Sequence, residues 1–125
     1  WCAGCGHGTI LQAIADALAQ QGLDKHEIAL VSGIGCFGRV DDYLDINCMH
    51  VTHGRALAAA TGVALANPNL HVLVTMGDGD GTTIGGNHLI HCARRVCLWP
   101  CGTRLRHLQA GGSGRRPLCG ALDGL

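Results

Sequence analysis

Two cysteines three apart open the chain, Cys2 and Cys5 in WCAGCGH, and a third, Cys36, follows in GIGCFG. A Cys-x-x-Cys pair serves redox exchange, zinc, an iron–sulfur cluster, or no chemistry at all. The thioredoxin-type redox pair follows a strand and opens a helix, and no strand precedes Cys2. Zinc needs a second Cys/His pair, and Cys36 comes alone. Three cysteines on two separated segments, with a remote fourth, suit a Cys₄ iron–sulfur cluster. A structural use of the three thiols stays open on spacing alone.

The second candidate is GDGD, residues 77–80, directly after the hydrophobic run LHVLVTM. An aspartate between glycines can offer one carboxylate oxygen to a hard cation, and the glycines let backbone N–H groups approach a diphosphate. Mg²⁺ takes few carboxylates plus phosphate oxygens, and Asp78 would supply one. The bland reading is a solvated turn. GIGCFG also fits G-x-G-x-x-G, but the dinucleotide fingerprint needs a following helix and an acid about 20 residues on. RVDDYLDIN is a poor helix, and no acid lies between Asp45 and Asp78, so a nicotinamide site is excluded. The H-x-x-H pairs His50/His53 and His88/His91 offer no convergent set of zinc ligands.

The elements that must position these residues follow from periodicity. Ile10, Leu11, Ile14 and Leu18 predict a helix over 9–21, opened by a Thr9/Gln12 capping box and stopped by Gly22. EIALVS predicts a buried strand over 27–32, and 40–52 is expected to be mostly loop. A helix over 54–66 closes at Asn67-Pro68, and a strand spans 70–76. A last helix is expected to be capped by Thr82 or Thr83. Helices alternating with strands give an α/β fold, a parallel sheet with helices on both faces. Both glycine-rich turns, 33–38 and 77–81, then sit at strand carboxyl ends, where ligands bind on such sheets.

Composition narrows the class. The 125 residues suffice for one core, and a formal net charge of zero gives no support for a nucleic-acid or polybasic membrane partner. Apolar residues make up 47% but aromatics only 3%, so the core rests on Ala, Val, Ile and Leu. No apolar run is long enough to cross a bilayer, and no basic-then-apolar leader opens the chain. It starts at Trp1, which favours a fragment. Eight cysteines beside long Ala-rich helical stretches point to metal-type cysteines in a cytoplasmic protein rather than to a disulfide framework.

Taken together, WCAGCGHG, VSGIGCFGR, HVTHGRALAAATGVALANP and GDGDGTTIGGNHLIHCARR resemble, in unbroken order from Trp1 to Arg95, the β subunit of the 2-oxoacid:ferredoxin oxidoreductases, nearest to the 2-oxoglutarate branch. The resemblance implies a thiamine-diphosphate-binding fold, incomplete in this chain. It implies oxidative decarboxylation of a 2-oxoacid to an acyl-CoA, with ferredoxin reduced. The implied cofactors are thiamine diphosphate, Mg²⁺ and a [4Fe–4S] cluster. The implied partners are the α subunit of the same enzyme, ferredoxin, the 2-oxoacid and coenzyme A. Cys2, Cys5 and Cys36 correspond to cluster ligands, and Ile34, Gly35, Cys36 and Phe37 to the turn against the thiamine. His53 corresponds to a neighbour of the diphosphate or thiazolium. Asp78 corresponds to the Mg²⁺ ligand, with Gly77, Gly79 and Asp80 beside it. Phe37 departs from the family, which often has a small polar residue there. The sole glutamate, Glu27, starts a strand at the end remote from the glycine turns, so the glutamate that activates the cofactor is expected from a partner chain. The alternatives are a non-catalytic metal-binding or interaction domain and an inactive fragment.

The family pattern is expected to stop at Arg95, giving a partial thiamine-diphosphate-binding domain over 1–95 and an atypical tail over 96–125. Five basic residues against eight acids make the first part net −3, and four arginines against Asp123 make the tail net +3. The tail places Pro100 inside the expected next strand and lacks the family's Mg²⁺-ligating asparagine. A frameshift or equivalent break after Arg95 accounts for both, and leaves Val72, Val74 and Ile84 under-covered. The other source of such a tail is a divergent, disordered C-terminus.

Overall fold

Isoleucine, leucine and valine dominate IALVS, and Ile28–Ser32 (β1) is the central strand of a three-stranded parallel sheet in the computed structural model. The structure describes residues 1–102, with side chains as far as Arg94. Asn47–His50 (β2) and His71–Thr75 (β3) flank β1 in the order β2-β1-β3. The register sets Leu30 beside Cys48 on one side and beside Leu73 on the other. The α/β parallel sheet expected from the sequence is therefore present.

The helix Ala56–Ala66 (α2) covers one face of this sheet. Its small residues allow close approach: Ala56 and Ala60 are buried against Val31, with Val51, Val72, Val74 and Met76 packed around them. Val31 pairs in register with Val74, and Ala29 with Val72, so these four share the face toward α2. Full burial of a residue such as Val31 stabilises by about 1.5–3 kcal/mol. Ile28, Leu30 and Val40 are also buried but lie outside that cluster, Val40 coming from the 3₁₀ segment Phe37–Tyr43. Both outer strands are thinly covered. All four β2 residues are exposed, Val72 and Val74 are half-buried, and Ile84 is 50% exposed.

Several boundaries differ from the sequence-based expectation. The helix His7–Gln21 (α1) starts two residues early, after Gly6 in the left-handed region at φ +79°, and buries no residue. Thr9 lies inside it, and Gln12 donates to Asp16 at 2.8 Å instead of closing a capping box. The reciprocal cap forms one element later. Asp24 accepts from the His26 N–H and Glu27 accepts from the Asp24 N–H at 3.1 Å, which leads the chain through Lys25–Glu27 into β1. Residues 47–50, expected as loop, form β2, whose first residue Asn47 donates to the carbonyls of Lys25 and Ile28. After β3, no helix is capped by Thr82 or Thr83. Gly79–Ile84 is a π-helical turn closed by Gly85 N–H to Asp80 C=O at 2.9 Å, and the helix Gly86–Gly102 (α3) follows.

The chain divides into two units, Trp1–Leu89 and Ile90–Leu125. The first contains the sheet and every turn discussed below. Of the atypical tail over 96–125, the backbone is helical as far as Gly102, and residues 103–125 lie outside the described residues. Among the described residues, no helix is long and apolar enough to cross a membrane.

Candidate functional site

Parallel strands deliver three turns to one end of the sheet. Beyond β1 and β3, Gly33 N–H reaches Thr75 C=O at 2.9 Å. Val51 N–H reaches Ser32 C=O at 2.9 Å beyond β2. Between β1 and β3 the hydroxyls of Ser32 and Thr75 hydrogen-bond at 3.0 Å in buried surroundings. The segments starting at Gly33, Val51 and Gly77 thus leave the sheet side by side.

Asp80 ties them together. It is 2% exposed. Its Oδ2 accepts from the Ile34 N–H at 3.2 Å, and its Oδ1 accepts from the Gly54 N–H at 2.5 Å and from His53 Nδ1. Charge-assisted bonds of this kind are about twice as strong as neutral ones, and burial strengthens them further. The glycines make room. A Cβ on Gly33 would overlap Asp80 Oδ2, and Gly54, at φ +74°, sits where a Cβ would lie 2.9 Å from Gly85 N. The structure therefore gives Asp80 the role of a cross-tie between turns, a role no spacing argument reveals.

Asp78, two residues earlier, has the opposite setting. It is exposed, its backbone carbonyl accepts from the Thr82 hydroxyl at 2.6 Å, and its carboxylate has no hydrogen-bond or ion-pair partner among the described residues. A Cβ at Gly77 or at Gly79 would meet nothing within 4 Å. An open carboxylate flanked by open backbone fits a cation carrying a phosphate group.

The cysteines are brought near one another but are not gathered. Trp1 Nε1–H donates to the Cys36 carbonyl, the Trp1 ring lies 4.7 Å from Tyr43, and His7 stacks on Phe37 at 5.2 Å. These contacts seat the Cys2/Cys5 segment on the turn that carries Ile34, Gly35, Cys36 and Phe37. Cys2, Cys5 and Cys36 are exposed free thiols, and Cys5 Sγ lies 3.4 Å from His7 Nδ1. Among the described residues, no three His, Cys, Asp or Glu side chains converge as a metal site. The described residues alone do not fit a complete cluster site.

Other polar groups fall into pairs. His50 Nδ1 meets Asp41 Oδ2 at 2.8 Å, and Arg55 lies 3.3 Å from His88 Nε2. Partial desolvation of the thiol, on an otherwise exposed residue, and the Asp41 carboxylate push the Cys48 pKa up. Glu27 is engaged in its cap at the start of β1, the opposite end of the strand from Gly33.

The fold and these turns define a class, and comparison with known proteins agrees. Residues 33–97 match the family model of the thiamine pyrophosphate enzyme, C-terminal TPP binding domain. The chain belongs to this family. Its relatives are more particular. Over 95 residues it is 54% identical to the 2-oxoglutarate synthase subunit KorB of Archaeoglobus fulgidus, covering 76% of this chain and 35% of that protein. It is 52% identical over 95 residues to the 2-oxoglutarate oxidoreductase subunit KorB of Mycobacterium tuberculosis, covering 76% and 26%. A solved structure, 2-oxoglutarate:ferredoxin oxidoreductase from Magnetococcus marinus with 2-oxoglutarate, coenzyme A and succinyl-CoA bound, superposes with a TM-score of 0.74 at 49% identity, covering 76% of this chain and 33% of that chain. The chain spans about a third of the length of the first curated relatives it matches.

Proposed function

We propose that this chain is the cofactor-binding part of a β subunit that, with its α subunit, converts a 2-oxoacid and coenzyme A to an acyl-CoA and CO₂, passing an electron pair to ferredoxin. 2-Oxoglutarate is the favoured substrate because the relatives named above act on or bind it. The cytoplasm is the proposed compartment. The single observation that carries the reading is the open Asp78 carboxylate between Gly77 and Gly79 at the end of β3, inside the segment that matches the family.

Thiamine diphosphate, when bound, supplies the carbanion chemistry that cleaves the carboxylate from the 2-oxoacid. This chain's residues hold it. Asp78 would take the Mg²⁺ and the backbone of Gly77 and Gly79 would admit the diphosphate, while Asp80 keeps the Gly33, His53 and Gly54 turns in place behind it. His53 would lie beside the cofactor, and Ile34, Gly35, Cys36 and Phe37 would form its other wall. Cys2, Cys5 and Cys36 are proposed thiolates for the [4Fe–4S] cluster, supported by the docking of Trp1 and His7 onto the Cys36 turn. A fourth thiolate is missing from that set, so the isolated chain is expected to hold a cluster poorly. The activating glutamate comes from the partner, since Glu27 is engaged elsewhere. The native family sequence is proposed to end at Arg95. Reading the coding DNA past that codon in the other frames tests this point, and finding no apolar strand ending in asparagine contradicts it.

The reading is tested by co-expressing the chain, continued past Arg95 with its native sequence, with the α subunit, purifying without oxygen and assaying ferredoxin reduction with several 2-oxoacids. Thiamine-diphosphate-dependent turnover, fastest with 2-oxoglutarate, is expected of an assembly whose chain carries the native sequence past Arg95. Failure of that complete assembly to bind thiamine diphosphate contradicts the reading.

A further inference from the structure

The Asp80 cross-tie has one member that is not backbone. Oδ2 takes the Ile34 N–H and Oδ1 takes the Gly54 N–H, so two backbone donors fix the plane of a carboxylate that is buried to 2% exposure. The remaining donor is the imidazole of His53, whose side chain is 44% exposed. An ionised carboxylate only accepts, so the His53 nitrogen facing it must carry the proton. No other hydrogen bond holds that ring among the described residues.

We infer that Asp80 is a positioning residue for His53: it accepts the Nδ1–H and so fixes the ring with Nε2 toward a phosphate-bearing ligand at the strand ends, to which the imidazolium form donates its Nε2–H. The ring nitrogens of a histidine are chemically distinct, and the partner of one decides what the other can do. Asp80 is suited to this because the backbone prevents it from turning. It is unsuited to binding the metal, because both oxygens already accept from the protein. The ligand's identity rests on the thiamine-diphosphate reading; the orientation of His53 does not.

Two substitutions separate positioning from mere structure. In Asp80→Asn one oxygen becomes an NH₂ group, which must face either Ile34 N–H or the His53 and Gly54 donors, so one side of the tie is lost. In His53→Asn the amide nitrogen occupies the place of Nδ1 and can still bond Asp80, while nothing replaces Nε2.

The experiment uses the full 125-residue chain with ¹⁵N-labelled histidine, and long-range ¹⁵N–¹H correlation reads the protonated nitrogen of each ring. The His53 signals are assigned by their loss in His53→Asn. Calorimetry with inorganic pyrophosphate and with thiamine diphosphate, each with Mg²⁺, reads ligand affinity. In the wild type His53 carries its proton on Nδ1, and in Asp80→Asn that signature is lost while His26 and His71 are unchanged. Affinity falls about 10- to 100-fold in both variants, the range for losing a hydrogen bond to a charged group. A wild-type His53 with a bare Nδ1 overturns the inference, and this readout needs no variant to fold. His53→Asn binding both ligands as tightly as the wild type also overturns it. If the wild type binds neither ligand but carries the Nδ1 proton, the ligand half of the inference is overturned, while the Asp80–His53 orientation and the reading of the complete assembly stand.

Discussion

The turns around Asp80 and the segment around Cys2 and Cys5 are both seated on the loop after β1, but different forces seat them. Asp80 is buried and bonded through directional N–H donors from two turns. The cysteine segment is exposed and held by the Trp1 indole and by ring contacts among Trp1, His7, Phe37 and Tyr43. Hydrogen bonds to a buried charge tolerate little displacement, while aromatic contacts at the surface tolerate more. The proposed diphosphate end of the candidate site therefore has its turns tied together in this chain. The thiol end is docked but not assembled.

The largest way to break this contrast is Gly33→Ala. The added methyl would overlap Asp80 Oδ2, and either the carboxylate or the turn must move. We expect a loss of about 3 kcal/mol or more, at the upper end for overpacking. It should appear in denaturant titration as a lower midpoint at unchanged slope. A midpoint within error of the wild type would mean that the turns are not tied through Asp80.

Trp1→Ala should cost much less, about 1 kcal/mol, because each surface aromatic pair contributes only about 0.5–1.5 kcal/mol. Its effect should be local. Alkylation of Cys2 and Cys5 should speed up while Cys48 keeps its rate. A change confined to Cys48 would show that the aromatic contacts do not seat the cysteine segment.

The smallest effect concerns Cys48, whose pKa is raised first by partial desolvation of its thiol and then by the Asp41 carboxylate. The thiolate is the reactive form, so the pH midpoint of Cys48 alkylation should lie above that of the same cysteine in the denatured chain. Asp41→Asn should lower the midpoint by removing the second cause. The folded state holds this proton more tightly, so the associated stability is complete below the unfolded pKa and is lost as pH rises through the folded one. A folded midpoint equal to the denatured one would contradict the shift.

Much of this arrangement was legible in the sequence, for physical reasons that also explain the rest. β1 and β3 announce themselves because IALVS and HVLVT are aliphatic runs ending in glycine turns. The parallel order follows from the intervening helical stretch of alanines. β2 is hidden because all four of its residues are exposed and leave no burial pattern to read. The early start of α1 is hidden because Gly6, with no capping side chain, opens it. GDGD marks the candidate site, but it contains nothing that says which aspartate turns inward. That choice is made by Ile34, His53 and Gly54, 26 to 46 residues away in the chain. The family resemblance supplied roles for Cys2, Cys5 and Cys36 that the described geometry alone does not.

Asp78, left open beside a buried Asp80, is proposed to receive the metal of a bound diphosphate. Replacing Asp78 with Ala should leave stability within about 0.5 kcal/mol, as for an exposed surface residue without a partner. The most direct measurement is calorimetric titration of thiamine diphosphate, with and without Mg²⁺, into a full-length version of the chain assembled with its α subunit, wild type against Asp78→Ala. Mg²⁺-dependent binding is expected in the wild type, with most of that affinity lost in the variant. Equal affinity in the two proteins would contradict it.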